Sequence, residues 1–376
     1  MPSQLFSSID LRGLTLPNRI VIAPMCQYSA VDGTANEWHL IHLGHLALSG
    51  AGLLMIEATG VEPEGRITPA CLGLYSDENE AALAKVIATV REHGGTPLGI
   101  QIAHAGRKAS VHVPWEGGQP LSEQDSAWKT VAPSALPFGD GWPEPRALGA
   151  VKMDALRDAF VATAERAARI GFDLIEVHAA HGYLLHEFLS PVSNHRRDEY
   201  GGSLENRMRF PLEVVASVRQ VWPDQRPLGL RITGSDGVEG GLTDDDAVAF
   251  TRKLHELGCD YVCISSGGIA PGAFLASEPG YNVPIAAKIK SETDMAVRVV
   301  GQITEAIQAE DIIATGQADM VALARALLDN PRWPWHAAQA LGAHLDYPPP
   351  YARSHPDLWP GAKLLHPELA RGAKSG

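Results

Sequence analysis

Two histidines and a tyrosine stand close together in the segment IEVHAAHGYLLHEFLSP, residues 175–191. His178 and His181 are three positions apart, and Tyr183 follows two positions later. Two neutral imidazoles can each donate one N–H to the same oxygen, which polarises a carbonyl and stabilises an enolate-like transition state. A phenol keeps its proton at pH 7 because its reference pKa is about 10, so Tyr183 suits an acid that protonates a carbon atom. The pattern favours a site for a carbonyl-bearing substrate.

Two other interpretations of the histidine pair remain open from the residues alone. Zinc needs three or four ligands, and Glu176 could join His178 and His181 in a zinc-dependent barrel hydrolase or aldolase. The chain has no H-E-x-x-H motif, since the Glu that follows His186 is not followed by a second histidine at that spacing. The histidines could also be buried core residues, although both lie where a strand gives way to a loop.

Eight short, apolar, β-rich segments alternate with helical patterns along the chain and predict the elements that position these residues. The predicted strands are Arg19–Pro24, Leu53–Thr59, Pro97–His104, Phe172–His178, Pro227–Thr233, Asp260–Ser265, Ala296–Gly301 and Asp319–Ala324. Helices are predicted over Asp154–Ile170, ending at Gly171, and over Asp244–Leu257, with Thr243 as the N-cap. We therefore expect an α/β fold, a single (β/α)₈ TIM barrel formed by one domain over residues 1–376, with an irregular tail from about residue 347.

A long segment, Gly106–Ala150, follows the third predicted strand and is rich in Trp, Pro and Gly. Barrel loops are usually short, so a loop of this length is expected to be functional. It leaves the carboxyl end of a strand, the face where barrels carry out chemistry, and we predict that it forms a lid there.

Polar residues lie at the ends of several predicted strands, where a plain barrel core would carry Val, Ile or Leu. Side chains two apart share a face of a strand, so Gln101, Glu176, His178 and Arg231 converge if their faces point inward. Arg231 could pair with Glu176 or another barrel carboxylate, or it could place a fixed positive charge beside a cofactor that becomes anionic. Arg325 follows the eighth strand, where barrels often bind phosphate together with the loop after the seventh strand.

Composition limits the class of protein further. The 376 residues carry a net charge of −13 with no basic stripe, which argues against non-specific nucleic-acid binding. The sequence contains no apolar run long enough to span a membrane and no recognisable signal peptide, so we expect no membrane association. The four cysteines, Cys26, Cys71, Cys259 and Cys263, do not form a disulfide framework in a chain of this size, and we predict a reduced, cytoplasmic protein.

Five longer motifs carry a resemblance to a known family. They are APMCQYSA (23–30), GLLMIEATGVEPEGRITP (52–69), QIAHAGRKAS (101–110), EVHAAHGYLLHEFLSPVSNHRRDEYGGSLENRMRF (176–210) and ALARALLDNPRWPWHAA (322–338). Together they resemble the old yellow enzyme family of FMN-dependent ene-reductases, in its bacterial branch with an active-site cysteine. The resemblance implies a flavoprotein that oxidises NADPH or NADH and reduces the C=C bond of α,β-unsaturated carbonyls and related activated alkenes. The flavin would supply the hydride, delivered from N5, and the protein would supply binding and orientation.

The resemblance also implies roles for individual residues. The flavin ring would be lined by Pro24, Met25, Cys26, Ala58, Gln101 and Arg231, and its phosphate would be held by Gly301, Gln302, Ala324 and Arg325. Cys26 would tune the redox potential, Gln101 would hydrogen-bond the pyrimidine edge, and Arg231 would face flavin N1. His178 and His181 would hold the substrate oxygen, Tyr183 would donate the proton, and Tyr28 would position the substrate.

Three features depart from the family pattern. Ala324 replaces a frequent glycine in the phosphate turn, Gln302 stands where an apolar residue is usual, and the loop after the fifth strand lacks an aromatic residue found in many relatives. In the tail, Arg353 resembles an arginine that enters the site of a neighbouring subunit and contacts substrate. This resemblance implies a homodimer or homotetramer acting on a small-molecule substrate.

Overall fold

A computed structural model describes residues 2–273 and 278–365. The strands of this part, numbered along the chain, are β1 (Ile9–Leu11), β2 (Leu14–Leu16), β3 (Ile20–Ile22), β4 (Leu53–Gly60), β5 (Leu98–Ala103), β6 (Val131–Ala132), β7 (Arg146–Ala147), β8 (Leu174–Ala179), β9 (Leu228–Thr233), β10 (Tyr261–Ser265), β11 (Ala296–Val299) and β12 (Met320–Leu323). Eight of these, all paired in parallel, close into a barrel in the order β3-β4-β5-β8-β9-β10-β11-β12.

Helices follow the barrel strands and cover the outside of the barrel. They are α1 (Glu37–Ala47), α2 (Asp77–His93), α3 (Ala150–Ile170), α4 (Leu184–Leu189), α5 (Leu204–Val221), α6 (Asp244–Glu256), α7 (Val283–Glu292), α8 (Ala306–Ala314), α9 (Arg325–Asp329), α10 (Trp333–Leu341) and α11 (Ala362–Leu365). The architecture is a (β/α)₈ TIM barrel, as the sequence predicted.

The predicted elements agree closely with the observed ones. Each of the eight predicted strands is present, and each end lies within two residues of its predicted position. Helix α6 begins after Thr243, whose side chain accepts a hydrogen bond from the N–H of Asp246, as expected for an N-cap. Helix α3 begins four residues earlier than predicted, at Ala150, and ends at Gly171 in the left-handed conformation. The apolar pattern located the elements well because each strand is buried on both faces.

The segment between β5 and α3 forms the predicted lid. It carries 3₁₀ turns at Gly106–Lys108, Pro114–Glu116 and Glu123–Asp125, together with the short β6–β7 pair. Trp115 in this lid is exposed and contacts the ring of Tyr28 edge-on, with 5.9 Å between ring centroids. The lid therefore lies beside the carboxyl ends of the strands.

The barrel interior alternates large and small side chains. A Cβ atom on Gly229 would lie 2.1 Å from the ring of Tyr261, and one on Gly99 would lie 2.4 Å from the sulfur of Met55. These two glycines leave the space that the neighbouring large side chains fill, which is the usual way a narrow barrel is packed. An apolar layer closes the amino-terminal end of the barrel, where the β1–β2 hairpin packs against it through Leu11 and Leu16.

The C-terminal segment contains a 3₁₀ helix at Pro349–Ser354 and the single turn α11, where the sequence predicted irregular structure from about residue 347. Residues 366–376 of that tail lie outside the described part of the chain. All four cysteines are free thiols. Within residues 2–273 and 278–365, no helix combines the length and the apolar character needed to cross a membrane.

Candidate active site

The barrel centre holds a buried polar network that the sequence revealed only in part. Glu176 is completely buried, and its Oε1 accepts a hydrogen bond of 2.8 Å from Gln101 Nε2. Its Oε2 accepts one of 2.9 Å from the hydroxyl of Tyr261 and pairs with the guanidinium of Arg298, which is also fully buried. The side chains of Gln101 and Glu176 therefore point into the barrel, as the alternation along the strands predicted.

This network excludes one of the partners that the sequence left open for Arg231. The ion pair of Glu176 forms with Arg298, so Glu176 does not serve as the partner of Arg231. Arg231 lines a cavity at the carboxyl end of the barrel, and its Nε is buried without a hydrogen-bond partner among the described residues. A buried donor of this kind needs an acceptor or an anion, which a bound cofactor would provide.

His178 and His181 face each other at the end of β8. The backbone N–H of Ala180 donates to His178 Nδ1 (3.2 Å), and His178 Nε2 lies 3.2 Å from His181 Nδ1. His181 Nε2 lies 2.7 Å from the hydroxyl of Ser265. Burial, together with the positive charge of Arg231, lowers the pKa of both imidazoles well below the ordinary value, so both rings are neutral at pH 7. The pair can therefore donate hydrogen bonds without carrying charge.

The loop that carries His181 is held in a strained conformation. His181 has a φ of +61°, and Gly182 follows with a φ of +72°. A Cβ atom on Gly182 would lie 2.0 Å from the carbonyl oxygen of Gly268, in the loop after β10. Lys108 Nζ donates to the carbonyls of both His181 (2.7 Å) and Gly268 (2.9 Å), so it ties the two loops to the lid. Strain of this kind persists only where surrounding contacts enforce it.

Tyr183 packs against both histidines. Its ring centroid lies 5.1 Å from that of His178 and 6.4 Å from that of His181. Burial raises the pKa of Tyr183 above the ordinary value, so the phenol is protonated at pH 7. The Nζ of Lys108 lies 5.2 Å from the centre of this ring. Burial also lowers the pKa of Lys108 to about 8, against the raising effect of Glu187.

The loop after β3 brings Pro24, Met25, Cys26 and Tyr28 to the same end of the barrel. Burial raises the pKa of the Cys26 thiol well above its usual range, with further contributions from Cys71 and Glu57. Cys26 is therefore a neutral thiol rather than a thiolate at pH 7. A bulge in β4 at Glu57 places Ala58 directly opposite Gln101, next to this loop. Bulges often aim side chains in this way beside active sites.

The four residues predicted to bind phosphate lie together. Gly301, Gln302, Ala324 and Arg325 line the same cavity, of about 220 Å³, as Arg231 and His181. Gly301 has a φ of +124°, and a Cβ atom there would lie 2.9 Å from the side-chain nitrogen of Asn282. Ala324, Arg325 and Ala326, at the start of α9, all line the cavity. The cavity therefore brings the charge of Arg325 and the unpaired donor of Arg231 together in one site.

Arg353 does not join these residues within one chain. It is exposed on the 3₁₀ helix of the tail and is not among the residues that line the cavity. A larger cavity of about 470 Å³ lies between the tail and the loops that precede β3, β4 and β5, at the opposite end of the barrel from the histidine pair. Its lining includes none of the site residues predicted from the sequence.

The zinc ligand set of His178, His181 and Glu176 is not formed. Glu176 turns toward Arg298 and Tyr261, while the two imidazoles bind each other and Ser265. Within the described residues, no group of three or more His, Cys, Asp or Glu side chains is arranged to hold a metal ion.

Sequence reasoning missed four residues that the structure places at or near the site: Lys108, Tyr261, Ser265 and Arg298. Arg298 is a polar residue on the predicted strand Ala296–Gly301. The alternation of side chains that located Gln101 could also have placed Arg298 inside the barrel. Ser265 ends a predicted strand, but serine at that position gives no distinctive signal.

Comparison with known proteins identifies the family of this chain. Residues 4–343 match the model of the NADH:flavin oxidoreductase / NADH oxidase family. The NADPH dehydrogenase of Geobacillus thermodenitrificans (strain NG80-2) is 45% identical over 355 residues, which cover 94% of this chain and 99% of that protein. The NADPH dehydrogenase of Bacillus subtilis (strain 168) is 42% identical over 355 residues, with the same coverage of 94% and 99%.

A solved structure of morphinone reductase in complex with tetrahydroNAD also has this fold. It is 29% identical in sequence, and the match covers 94% of each chain with a TM-score of 0.74.

Proposed function

This chain belongs to the NADH:flavin oxidoreductase / NADH oxidase family, and from that premise we propose that it reduces the C=C bond of α,β-unsaturated carbonyl compounds and related activated alkenes. It is an FMN-dependent NADPH oxidoreductase of the old yellow enzyme family, so the resemblance seen in the sequence is confirmed at that level. FMN and NAD(P)H are its cofactors.

The observation that carries the proposal is the neutral imidazole pair with a protonated tyrosine against it. His178 Nε2 and His181 Nδ1 are 3.2 Å apart, and Tyr183 packs on both rings. An oxygen within hydrogen-bond reach of both nitrogens would be polarised without an ion pair, and the adjacent carbon would lie near the phenol. A substrate with a carbonyl conjugated to an alkene fits this arrangement, because charge develops on its oxygen when hydride reaches the β-carbon.

Residues that line the cavity, together with others at the same end of the barrel, fit FMN. Arg231, which lines the cavity, would supply a positive charge and its unpaired Nε to the electron-rich edge of the ring. Gln101, which lies opposite Ala58 in the barrel, would hydrogen-bond the pyrimidine edge. Gly301, Gln302, Ala324 and Arg325 would hold the phosphate, while Pro24, Met25, Cys26 and Ala58 would contact the ring. When bound, FMN accepts hydride from NAD(P)H and passes it to the alkene.

The remaining chemistry falls to the protein. His178 and His181 hold the carbonyl oxygen and stabilise the enolate that forms on the substrate, and Tyr28 positions the substrate under the lid. Tyr183 gives its proton to the α-carbon and regains one from water. Because its pKa is raised, the phenol keeps its proton until the enolate forms. The α-carbon of the enolate is far more basic than a phenolate oxygen and can take the proton.

Anaerobic titration of the purified protein tests the proposal. NADPH should bleach the flavin absorbance, and 2-cyclohexen-1-one should restore it with one cyclohexanone formed per flavin. A flavin that NADPH bleaches but that no activated alkene reoxidises would contradict the proposed substrate class.

We also propose a homodimer or homotetramer in which Arg353 reaches the substrate site of a neighbouring subunit. The exposure of Arg353 and its absence from the cavity lining of its own chain support this arrangement. Light scattering coupled to size exclusion measures the molar mass directly, and a monomer mass at working concentration would contradict it.

A further inference from the structure

The hydrogen bonds around the histidine pair assign the position of each ring proton in this arrangement. Because the backbone N–H of Ala180 donates to His178 Nδ1, the single ring proton of neutral His178 is on Nε2. That proton points at His181 Nδ1, which must then be the acceptor. The proton of His181 is therefore on Nε2, where it donates to the hydroxyl oxygen of Ser265.

This tautomer does not suit the proposed oxygen grip. An oxygen that entered between His178 Nε2 and His181 Nδ1 would meet one N–H group and one lone pair. Two donors at that position require the proton of His181 to be on Nδ1. His181 Nε2 would then be an acceptor, and it would need a donor within the buried site.

Ser265 can satisfy both states. Its hydroxyl accepts a hydrogen bond from His181 in one tautomer and, after rotation about the C–O bond, donates in the other, with the heavy atoms left in place. The side chain is well placed for this, because Ser265 is 4% exposed and lies at the end of β10, paired with Thr233. The hydroxyl oxygen of Thr233 accepts a hydrogen bond from the backbone N–H of His181, and Lys108 donates one to the backbone carbonyl of His181. Neither contact involves the imidazole ring, so neither depends on its tautomer.

We propose that Ser265 is a positioning residue that lets His181 change tautomer when a substrate oxygen binds, so that the pair becomes a two-donor grip only in the complex. The change moves no net charge, since one proton leaves Nε2 to water and one from water reaches Nδ1. The inference rests on the proposed function and deepens it, because it assigns the step that prepares the site for a carbonyl oxygen.

The ¹⁵N spectrum of histidine-labelled, oxidised, FMN-loaded protein reads the tautomer directly, with 4-chlorophenol as the probe whose phenolate mimics the enolate. His181 is identified by loss of its signals in His181→Ala. We expect the unprotonated nitrogen of His181 to be Nδ1 in the free protein and Nε2 in the complex. An unchanged tautomer in the wild-type protein, or a proton already on Nδ1 before the phenol is added, would overturn the proposal.

Variants separate this role from a general loss of structure. In Ser265→Ala we expect no tautomer change and about tenfold weaker phenol binding, from the loss of one hydrogen bond in a buried site. Ser265→Thr keeps a hydroxyl and should restore the change. Ser266→Ala is the matched control, since that neighbouring hydroxyl binds Asn282 and its loss should leave the His181 tautomer change intact. A full tautomer change with undiminished affinity in Ser265→Ala would refute the role of Ser265.

Turnover of 2-cyclohexen-1-one by the same wild-type sample distinguishes the two proposals. Turnover without a tautomer change defeats the role of Ser265 alone, whereas failure of every activated alkene to be reduced defeats the proposed function. The wild-type spectrum is decisive even if the alanine variant does not fold.

Discussion

The ion pair between Glu176 and Arg298 yields a prediction about stability that can be worked from the structure. Both side chains are fully buried at the barrel centre, and Glu176 also receives hydrogen bonds from Gln101 and Tyr261. Replacing Arg298 by Met keeps much of the side-chain length and removes the charge, so the Glu176 carboxylate is left buried without its counter-ion. Breaking a buried pair in this way typically costs about 3–5 kcal/mol. The two remaining hydrogen bonds to Glu176 place the expected loss toward the lower end of that range.

The double variant Glu176→Gln with Arg298→Met removes both charges together. Because replacement of a whole buried pair by neutral groups is often close to neutral, we expect its stability to return to within about 2 kcal/mol of wild type. Urea unfolding of the FMN-free protein, followed by circular dichroism, compares the midpoints of the three chains. A double variant no more stable than the single one would show that lost packing, rather than an uncompensated charge, causes the effect. A single variant equal to wild type would refute the pairing itself.

Three further predictions concern the site. Tyr183→Phe should slow alkene reduction by about 100-fold or more, as expected for loss of a general acid, while NADPH still bleaches the flavin. Stopped-flow measurement of both half-reactions checks this. An unchanged rate of alkene reduction would exclude Tyr183 as the proton donor. Arg231→Met should weaken FMN binding and lower the flavin midpoint potential, because it removes a positive charge beside the ring. Dye titration measures the potential, and an unaltered potential would contradict the placement of Arg231 beside the flavin. Burial raises the pKa of Glu57 to about 8, against the lowering hydrogen bond from the N–H of Gln27. The folded-state pKa lies above the unfolded value of about 4.3. This group's contribution to stability is therefore complete below pH 4 and is lost as pH rises toward 8, by about 1.4 kcal/mol per pH unit at most. Glu57→Gln should flatten the fall in urea midpoint between pH 5 and pH 8, and an identical pH profile would argue against the raised pKa.

The barrel could be predicted from the sequence because its strands carry a local signal. The eight apolar segments are bounded by turn residues and separated by helical patterns, and that alternation permits few folds. The lid was visible as well, since Gly106–Ala150 is too long and too rich in Trp, Pro and Gly for an ordinary barrel loop. These features depend on residues near each other in the chain.

The partners of the buried charges could not be predicted in the same way. Glu176 and Arg298 lie on β8 and β11, which are not neighbours in the barrel, so their pairing depends on closure and register across its interior. The sequence offered Glu176 as a partner for Arg231 or as a metal ligand, and the structure assigns it to Arg298. A local pattern cannot rank contacts that cross the barrel.

The hydrogen bond between His178 and His181 was equally hidden. It requires a positive φ at His181, which is unusual for histidine and depends on contacts with Lys108 and the loop after β10. The spacing of the two histidines indicated a shared oxygen ligand, but not the tautomers or the part played by Ser265. Chemistry-bearing residue types were thus easier to predict than the hydrogen bonds that prepare them.

Phenol binding tests the oxygen grip most directly. Titration of the oxidised holoenzyme with 4-chlorophenol, followed by the change in flavin absorbance, should give an affinity that falls about 100-fold or more in the double variant His178→Ala with His181→Ala, because two hydrogen bonds to a phenolate oxygen are lost. Binding of equal strength in the double variant, with FMN still bound, would contradict the account.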